Sequence, residues 1–128
     1  MNSREQANGK SVLITGATGG IGRATALGLA RMGAHVAITG RDRARTETAA
    51  REIRSATGAS VELSVGDLAS QTDVRNLAAD VKETLPRLDV LVNNDGGYWN
   101  HRHLDADAGP RRGTRIKDEL DTSSSWTW

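Results

Sequence analysis

The sequence predicts an α/β fold, in which a doubly wound parallel sheet is covered by helices on both faces. Four short apolar segments, each followed by glycine or asparagine, have the length and composition of buried strands. Three segments with apolar residues at helical spacing lie between them. Strands that alternate with helices are joined by right-handed crossovers, which place the strands parallel in one sheet.

The predicted elements follow one another from residue 11 to residue 94 in the order β-α-β-α-β-α-β. Gly33 and Gly58 stand where the first and second helices end, as glycine C-caps do. Ser70 and Asp73 have the spacing of a capping box at the start of the third helix, and Pro86 ends it. The strands are expected at residues 11–15, 35–39, 61–65 and 88–92, and the inner helix residues are expected to be Ile21, Ala24, Leu27 and Ala30, then Ala49, Ala50 and Ile53, then Val74, Leu77, Ala78 and Val81.

Composition excludes several classes of protein. The 128 residues carry 17 Lys and Arg against 16 Asp and Glu, and a net charge of +1 predicts neither nucleic-acid nor membrane binding. The sequence has no Cys, which excludes disulfides and Cys-ligated zinc. It has no apolar run long enough for a transmembrane helix and no apolar leader, so we expect a cytoplasmic protein without a metal site.

The two ends of the chain lack this pattern. Residues 1–10 are polar, and we expect them to be disordered. From residue 101 the apolar residues no longer recur at strand or helix spacing. Leu104, Ile116 and Leu120 stand isolated, so we expect them to anchor no element and residues 101–128 to form an irregular, disordered tail.

The turn after the first strand, residues 15–22, reads Thr-Gly-Ala-Thr-Gly-Gly-Ile-Gly. Its glycines fit either of two spacings, Gly16-Gly20-Gly22 or Gly16-Gly19-Gly22. A glycine-rich turn between a strand and a helix lets the backbone approach a pyrophosphate, which then meets the free N–H groups of the helix. The alternative interpretation is a tight turn whose glycines serve only the packing of helix against strand.

Three motifs together resemble the short-chain dehydrogenase/reductase family, in its classical, retinol-dehydrogenase-like branch. They are the glycine turn, the Asp67-Leu68 pair after the third strand, and Asn-Asn-Asp-Gly at residues 93–96 after the fourth. The resemblance covers residues 11 to about 103 and implies a Rossmann-type NAD(P)-binding domain at residues 11–100 with strand order 3-2-1-4. At position 95 the family has Ala and this chain has Asp, whose charge would weaken cofactor binding.

The resemblance also implies which residues meet the cofactor. Asp67 would accept a hydrogen bond from the adenine amino group, and Leu68 would offer a backbone contact. Asn94 and Gly96 would line the adenosine ribose. Asp67 could instead bond only its own loop backbone, as loop Asp residues often do. The full set of predicted cofactor residues is Gly16, Thr18, Gly19, Gly20, Ile21, Gly22, Arg41, Asp67, Leu68, Asn94 and Gly96.

The end of the second strand predicts which dinucleotide binds. A cation there accommodates the 2′-phosphate of NADP, whereas an acid binds the 2′-hydroxyl of NAD. Arg41 comes immediately after Gly40, which ends the strand, and it can pair with a phosphate through two N–H groups, so we favour NADP(H) over NAD(H). Two alternatives stay open: Asp42 could take the NAD role, and Arg41 could be a solvated surface residue.

The family's catalytic residues have no counterpart in this sequence. Family members use a Ser and a Tyr-x-x-x-Lys on a later helix, where the Lys lowers the pKa of the Tyr. The one Tyr here, Tyr98, comes directly after the fourth strand and is followed at +4 by Arg102. We therefore predict no catalytic residue in this chain and expect it to be inactive on its own.

Three functions remain possible for a chain that resembles the first part of a family member, truncated after about four strands. It could be an NADP-dependent oxidoreductase chain limited to nucleotide binding. It could be a non-catalytic NADP-binding module, or one that pairs with a full-length paralogue. It could be a non-functional fragment in which a frameshift joined an unrelated tail. The fourth strand would be an exposed sheet edge, which predicts weak stability or association of chains through that edge.

Overall fold

The computed structural model describes residues 8–85, 87–92 and 94, the short strands at residues 104–105 and 109–110, and Leu120. Within these residues four parallel strands form one sheet in the order β3-β2-β1-β4, which confirms the predicted fold class and strand order. Residues 1–7 of the predicted disordered N-terminus lie outside the described residues. The strands of the main sheet are β1 (Ser11–Ile14), β2 (His35–Gly40), β3 (Val61–Val65) and β4 (Val90–Val92).

The helices cover both faces of the sheet. Helices α1 (Gly20–Arg31) and α2 (Arg43–Thr57) lie on one face, and α3 (Gln71–Thr84) lies on the other. Side chains along β1 alternate accordingly, because Val12 packs toward α1 and α2 while Leu13 packs toward α3. No helix in the described ranges has both the length and the apolar character that crossing a membrane requires.

The inner faces of α2 and α3 are the predicted ones. Ala49, Ala50 and Ile53 are buried in α2, and Val74, Leu77, Ala78 and Val81 are buried in α3. Both helices begin with a side-chain cap, since Asp42 accepts from the Arg45 N–H at 2.9 Å and Ser70 accepts from the Asp73 N–H at 3.2 Å.

The inner face of α1 differs from the prediction. Its buried residues are Gly22, Ala26 and Ala30, whereas Ile21 is 80% exposed. Of the four expected residues only Ala30 is buried, because Ile21 and Ala24 are exposed and Leu27 is half-buried. The physical reason is that Gly22, which has no side chain, lies closest to the preceding loop and brings the helix backbone against it.

A carboxylate joins the segment before β4 to the start of β1. Asp89 Oδ2 accepts a hydrogen bond from the Ser11 N–H at 2.8 Å, and the Asp89 N–H donates to the Ser11 carbonyl at 2.9 Å. Arg87 Nη2 lies 2.6 Å from Asp89 Oδ1. The Ser11 N–H is the main cause that lowers the pKa of the Asp89 carboxyl below its ordinary value of 3.8; partial burial opposes it, and the Arg87 and Lys10 charges reinforce it.

The described residues of the tail differ from the expectation that isolated apolar residues anchor no element. Strands β5 (Leu104–Asp105) and β6 (Gly109–Pro110) pair antiparallel. Leu120 is helical and fully buried in the cluster on the α3 face. A single leucine carries no periodic signal, so its burial depends on tertiary packing that a pattern search does not detect. The proposed non-family origin of residues 101–128 stays a prediction.

Candidate dinucleotide-binding site

The carboxyl ends of the strands meet at one edge of the sheet because the strands are parallel. Ile14 at the end of β1 is in register with Ile38 of β2 and with Val92 of β4. The glycine loop, which we define as residues 15–22, begins at this edge between β1 and α1. In an open parallel sheet this is the edge at which ligands bind.

Two residues of the glycine loop adopt backbone conformations that favour glycine. Gly16 has φ of 64° and Gly20 has φ of 60°, and no other residue type adopts this region as readily. The Ala17 N–H donates to the Thr39 carbonyl at 3.2 Å, which attaches the loop to the end of β2. The sequence of the loop therefore fixes its path between two neighbouring strands.

The first turn of α1 has no side-chain cap. Its N-cap is Gly19, with φ of −166° and ψ of 177°, and no side chain accepts a hydrogen bond there. By contrast, α2 and α3 are capped by Asp42 and Ser70. The N–H groups of the first turn have no intrahelical partners, so α1 presents them and the positive end of its dipole to an anion.

Gly22 of α1 packs directly against the backbone of the glycine loop. A Cβ atom at this position would lie 2.6 Å from the Gly16 carbonyl oxygen and 3.2 Å from the Ala17 Cα, and it would also collide with the Asn94 side-chain amide. A larger residue would push the helix away from the loop. Gly22 therefore sets how closely the uncapped helix end approaches the sheet.

Asn94 holds the glycine loop from the β4 side. Its Nδ2 donates to the Gly16 carbonyl at 3.2 Å, and its backbone N–H donates to Thr15 Oγ1 at 3.0 Å. The Thr15 N–H in turn donates to the Val92 carbonyl at 3.1 Å. Asn94 thus positions the loop, and its predicted contact with the ribose stays a prediction. Gly96 lies outside the described residues.

Gly40 ends β2 against the glycine loop. A Cβ atom there would lie 2.6 Å from Thr18 Cγ2 and would collide with Thr46 Oγ1. Thr18 also lines a cavity of about 300 Å³, together with residues of α1 and α2. Thr15 and Gly40 were not among the predicted site residues. The sequence feature that could have indicated them is their position, a polar residue and a glycine at the carboxyl ends of adjacent strands.

The charged residues near the end of β2 differ in whether their side chains have a partner. Arg41 is exposed, and within the part of the chain that the structure describes it forms no ion pair. The Asp42 carboxylate is engaged by the Arg45 N–H as the cap of α2. Arg23 of α1 forms an ion pair with Glu52 of α2, and both side chains are about half exposed.

The loop after β3 carries Asp67 and Leu68. Asp67 Oδ1 accepts from the Ala69 N–H at 2.9 Å, which is the local backbone bond that the sequence left open as an alternative. This bond uses one of the two carboxylate oxygens. Leu68 is half-buried and packs against the cluster on the α3 face. The predicted adenine contacts of both residues stay predictions.

The arrangement brings most of the predicted residues to one edge of the sheet. The glycine loop, Asn94 and the end of β2 are in direct contact, and Asp67 follows the strand next to β2. Ile21 stands exposed in the first turn of the uncapped helix. Chemically, the edge offers backbone N–H groups, an exposed guanidinium and an apolar side chain, which fits a phosphate-containing organic ligand.

Known proteins resemble this chain in sequence and in fold. Retinol dehydrogenase 14 of Mus musculus is 47% identical over 102 residues, which cover 71% of this chain and 30% of that protein. L-Sorbose reductase from Gluconobacter frateurii, solved with NADPH and L-sorbose, is 35% identical with a TM-score of 0.69. The match covers 73% of this chain and 36% of the reductase chain. RhlG from Pseudomonas aeruginosa, solved as a complex with NADP, is 36% identical with a TM-score of 0.69. The match covers 76% of this chain and 38% of the RhlG chain.

The chain spans about a third of the length of the curated relatives that it matches. A family model described as short chain dehydrogenase matches residues 10–110, which is most of the chain. The match includes the glycine loop and the residues that follow β2, β3 and β4. This protein therefore belongs to the short-chain dehydrogenase family.

Proposed function

We propose that this chain binds NADP(H) at the glycine loop, with the pyrophosphate at the first turn of α1. The observation that carries the proposal is the combination of an uncapped helix end with a loop in which Gly16 and Gly20 have positive φ and Gly22 leaves no room for a side chain. Gly16, Gly19, Gly20 and Gly22 would let the backbone approach the phosphates, and the first-turn N–H groups would donate to them. Thr18 and Ile21 would flank the ligand.

We propose that Arg41 selects the phosphorylated dinucleotide. Arg41 is exposed at the end of β2, where the 2′ position of the adenosine ribose lies in Rossmann-type sites. Asp42, the residue that could take the NAD role, already accepts the α2 cap hydrogen bond. Two structurally similar proteins, the L-sorbose reductase and RhlG, were solved with NADPH or NADP, which supports the same preference here.

We propose that the adenosine half of the ligand extends across the sheet edge toward β3. Asp67 Oδ2 would accept from the adenine amino group, because Oδ1 is engaged by the Ala69 N–H. Leu68 would contribute a backbone contact beside it. Asn94 and Gly96 would border the ribose from the β4 side.

The proposed function is binding without turnover by this chain alone. A bound NADPH supplies a hydride to a carbonyl carbon, and a positioned acid must deliver the proton to the carbonyl oxygen. The family's Tyr-x-x-x-Lys does not occur in these 128 residues, since Tyr98 is followed at +4 by Arg102. Two finer alternatives remain proposals: pairing with a full-length paralogue through the β4 edge, and a fragment without function.

Calorimetric titration of the full chain with NADPH and with NADH tests the proposal. We expect measurable NADPH binding and weaker NADH binding. Arg41→Gln should lose most of this preference, while Arg51→Gln, which removes the same charge from an exposed position on α2, should keep it. Equal binding of both dinucleotides by the unaltered chain would contradict the role of Arg41.

Turnover is tested separately by following NADPH absorbance with simple aldehydes and ketones. We expect no oxidation above the rate without protein. A rate that depends on protein concentration and disappears with Tyr98→Phe would overturn the proposal that the chain binds without catalysis.

A further inference from the structure

Leu120 is a tail residue that is built into the hydrophobic core. It is 0% exposed and belongs to the cluster on the α3 face. The same cluster includes Leu13 of β1 and Leu77 of α3. A leucine in such a position contributes both apolar burial and close packing with its neighbours.

This cluster reaches the loop after β3 that carries the proposed adenine contacts. Leu68 of that loop packs against the cluster. At Gly66 a Cβ atom would lie 3.1 Å from Leu77 Cδ1, so the start of the loop also touches a cluster residue. The loop is therefore in contact with the cluster to which Leu120 belongs.

Three backbone N–H groups report on the conformation of this loop. The Asp67 N–H donates to Asp73 Oδ2 at 2.7 Å, and the Ala69 N–H donates to Asp67 Oδ1 at 2.9 Å. The Ser70 N–H donates to the Asp67 carbonyl at 2.9 Å. Because these bonds lie in a partly exposed loop, we expect them to open locally, without unfolding of the sheet.

We propose that Leu120 is a positioning residue, which holds residues 66–70 in the conformation that offers Asp67 and Leu68 to the adenine ring. Through Leu120 the cluster on the α3 face supports the loop that carries the proposed adenine contacts. The contact with adenine rests on the proposed NADP(H) function. The coupling between Leu120 and the loop does not depend on any ligand.

Hydrogen exchange of the full chain without ligand tests the coupling. Leu120→Ala should accelerate exchange of the Asp67, Ala69 and Ser70 amides by about tenfold or more, because the emptied site lets the cluster relax. Leu120→Met, which conserves volume, should restore slow exchange. The matched control is Ile53→Ala, which removes a fully buried side chain from the cluster on the opposite face. It should accelerate exchange of the β1 and β2 amides, which exchange through global unfolding. It should leave the loop amides unchanged, because these exchange through local opening of the loop.

The inference is overturned if Leu120→Ala leaves the three loop amides unchanged, or accelerates them only as much as Ile53→Ala does. NADPH titration of the same variants then tests the site. We expect Leu120→Ala to weaken binding and Leu120→Met to retain it. Absence of NADPH binding in the unaltered chain would remove the proposed function while leaving the exchange result standing, so the two failures are distinguishable.

Discussion

The side-chain amide of Asn94 donates a hydrogen bond to the Gly16 carbonyl across 78 positions of sequence. The bond joins the segment after β4 to the first residue of the glycine loop that has a positive φ. Asn94 also donates from its backbone N–H to Thr15 Oγ1. The loop is thus held by β4 on one side and, through the Ala17 N–H, by β2 on the other. Nucleotide affinity should depend on both attachments, because each fixes donors before the ligand arrives.

Replacing Asn94 should loosen the loop. In Asn94→Asp the side chain loses its donor and places a charge against the Gly16 carbonyl, so we expect a loss of about 1 to 3 kcal/mol of unfolding free energy. NADPH affinity should fall as well. Asn76→Asp, at an exposed position of α3, makes the same chemical change away from the loop and should alter neither quantity. Urea unfolding and calorimetry measure the two effects; equal behaviour of both variants would contradict the role of Asn94.

Two glycines of the same helix should respond in opposite ways to alanine. Gly22→Ala places a methyl group against the Gly16 carbonyl and should cost about 1 to 3 kcal/mol of stability, as overpacking does. Gly28 has no atom within 4 Å of an added Cβ. Gly28→Ala should therefore stabilise the chain by about 1 kcal/mol through helix propensity and leave NADPH binding unchanged. Thermal unfolding ranks the variants, and a stabilised Gly22→Ala would exclude the close contact.

The helices that the sequence predicted correctly are those whose packing depends on periodic side chains. All four residues of the predicted α3 face are buried, because apolar spacing and a Ser70 cap specify the helix locally. On α1 the predicted face was correct only at Ala30. Its closest contact is made by Gly22, which has no side chain for a hydrophobic pattern to count, and Ile21 is exposed instead.

The features that the sequence did not predict depend on pairs of residues far apart in the chain. The Asn94 bond to Gly16 depends on the register in which β1 pairs with β4, and this register cannot be inferred from a single sequence. In the sequence Asp89 is an acidic residue of the predicted strand at 88–92, and only the structure places the Ser11 N–H beside it. Leu120 has a single apolar neighbour at helical spacing, Ile116, and one pair does not make a periodic pattern, so only the assembled core shows that Leu120 is buried.

Asp42 should behave as a helix cap and not as a nucleotide ligand. Asp42→Ala removes the acceptor of the Arg45 N–H and should cost about 1 kcal/mol of stability, whereas Asp42→Asn keeps a good cap and should cost little. Neither change should weaken NADPH binding, as calorimetry will measure. A selective loss of NADH binding in Asp42→Asn would instead assign Asp42 to the ribose hydroxyl.

The β4 edge should govern self-association. In the described sheet β4 pairs only with β1, and Val90 is 44% exposed, so an apolar edge is open to another strand. We expect sedimentation velocity to show association that grows with concentration, and Val90→Lys to reduce it by placing a charge at the edge. Ala79→Lys adds the same charge on the exposed face of α3 and should leave association unchanged. Equal association of all three chains would show that the edge is not the contact.

Asp89 should make stability depend on pH in the acid range. Because folding lowers the pKa of Asp89 below 3.8, its contribution is fully present well above pH 3.8 and is lost as the pH falls through the lower folded-state value. Asp89→Asn keeps an oxygen that can accept from the Ser11 N–H but loses the charge, so it should cost about 1 kcal/mol near neutral pH, and the difference from the unaltered chain should shrink below pH 3.8. Arg87→Gln should cost less than about 1 kcal/mol, because the Arg87 side chain is 59% exposed.

Urea unfolding from neutral to acid pH measures the series, with Asp80→Asn on the exposed surface of α3 as the control. A difference between Asp89→Asn and the unaltered chain that stays constant down to the lowest pH would show that the charge of Asp89 plays no part in holding β4 to β1.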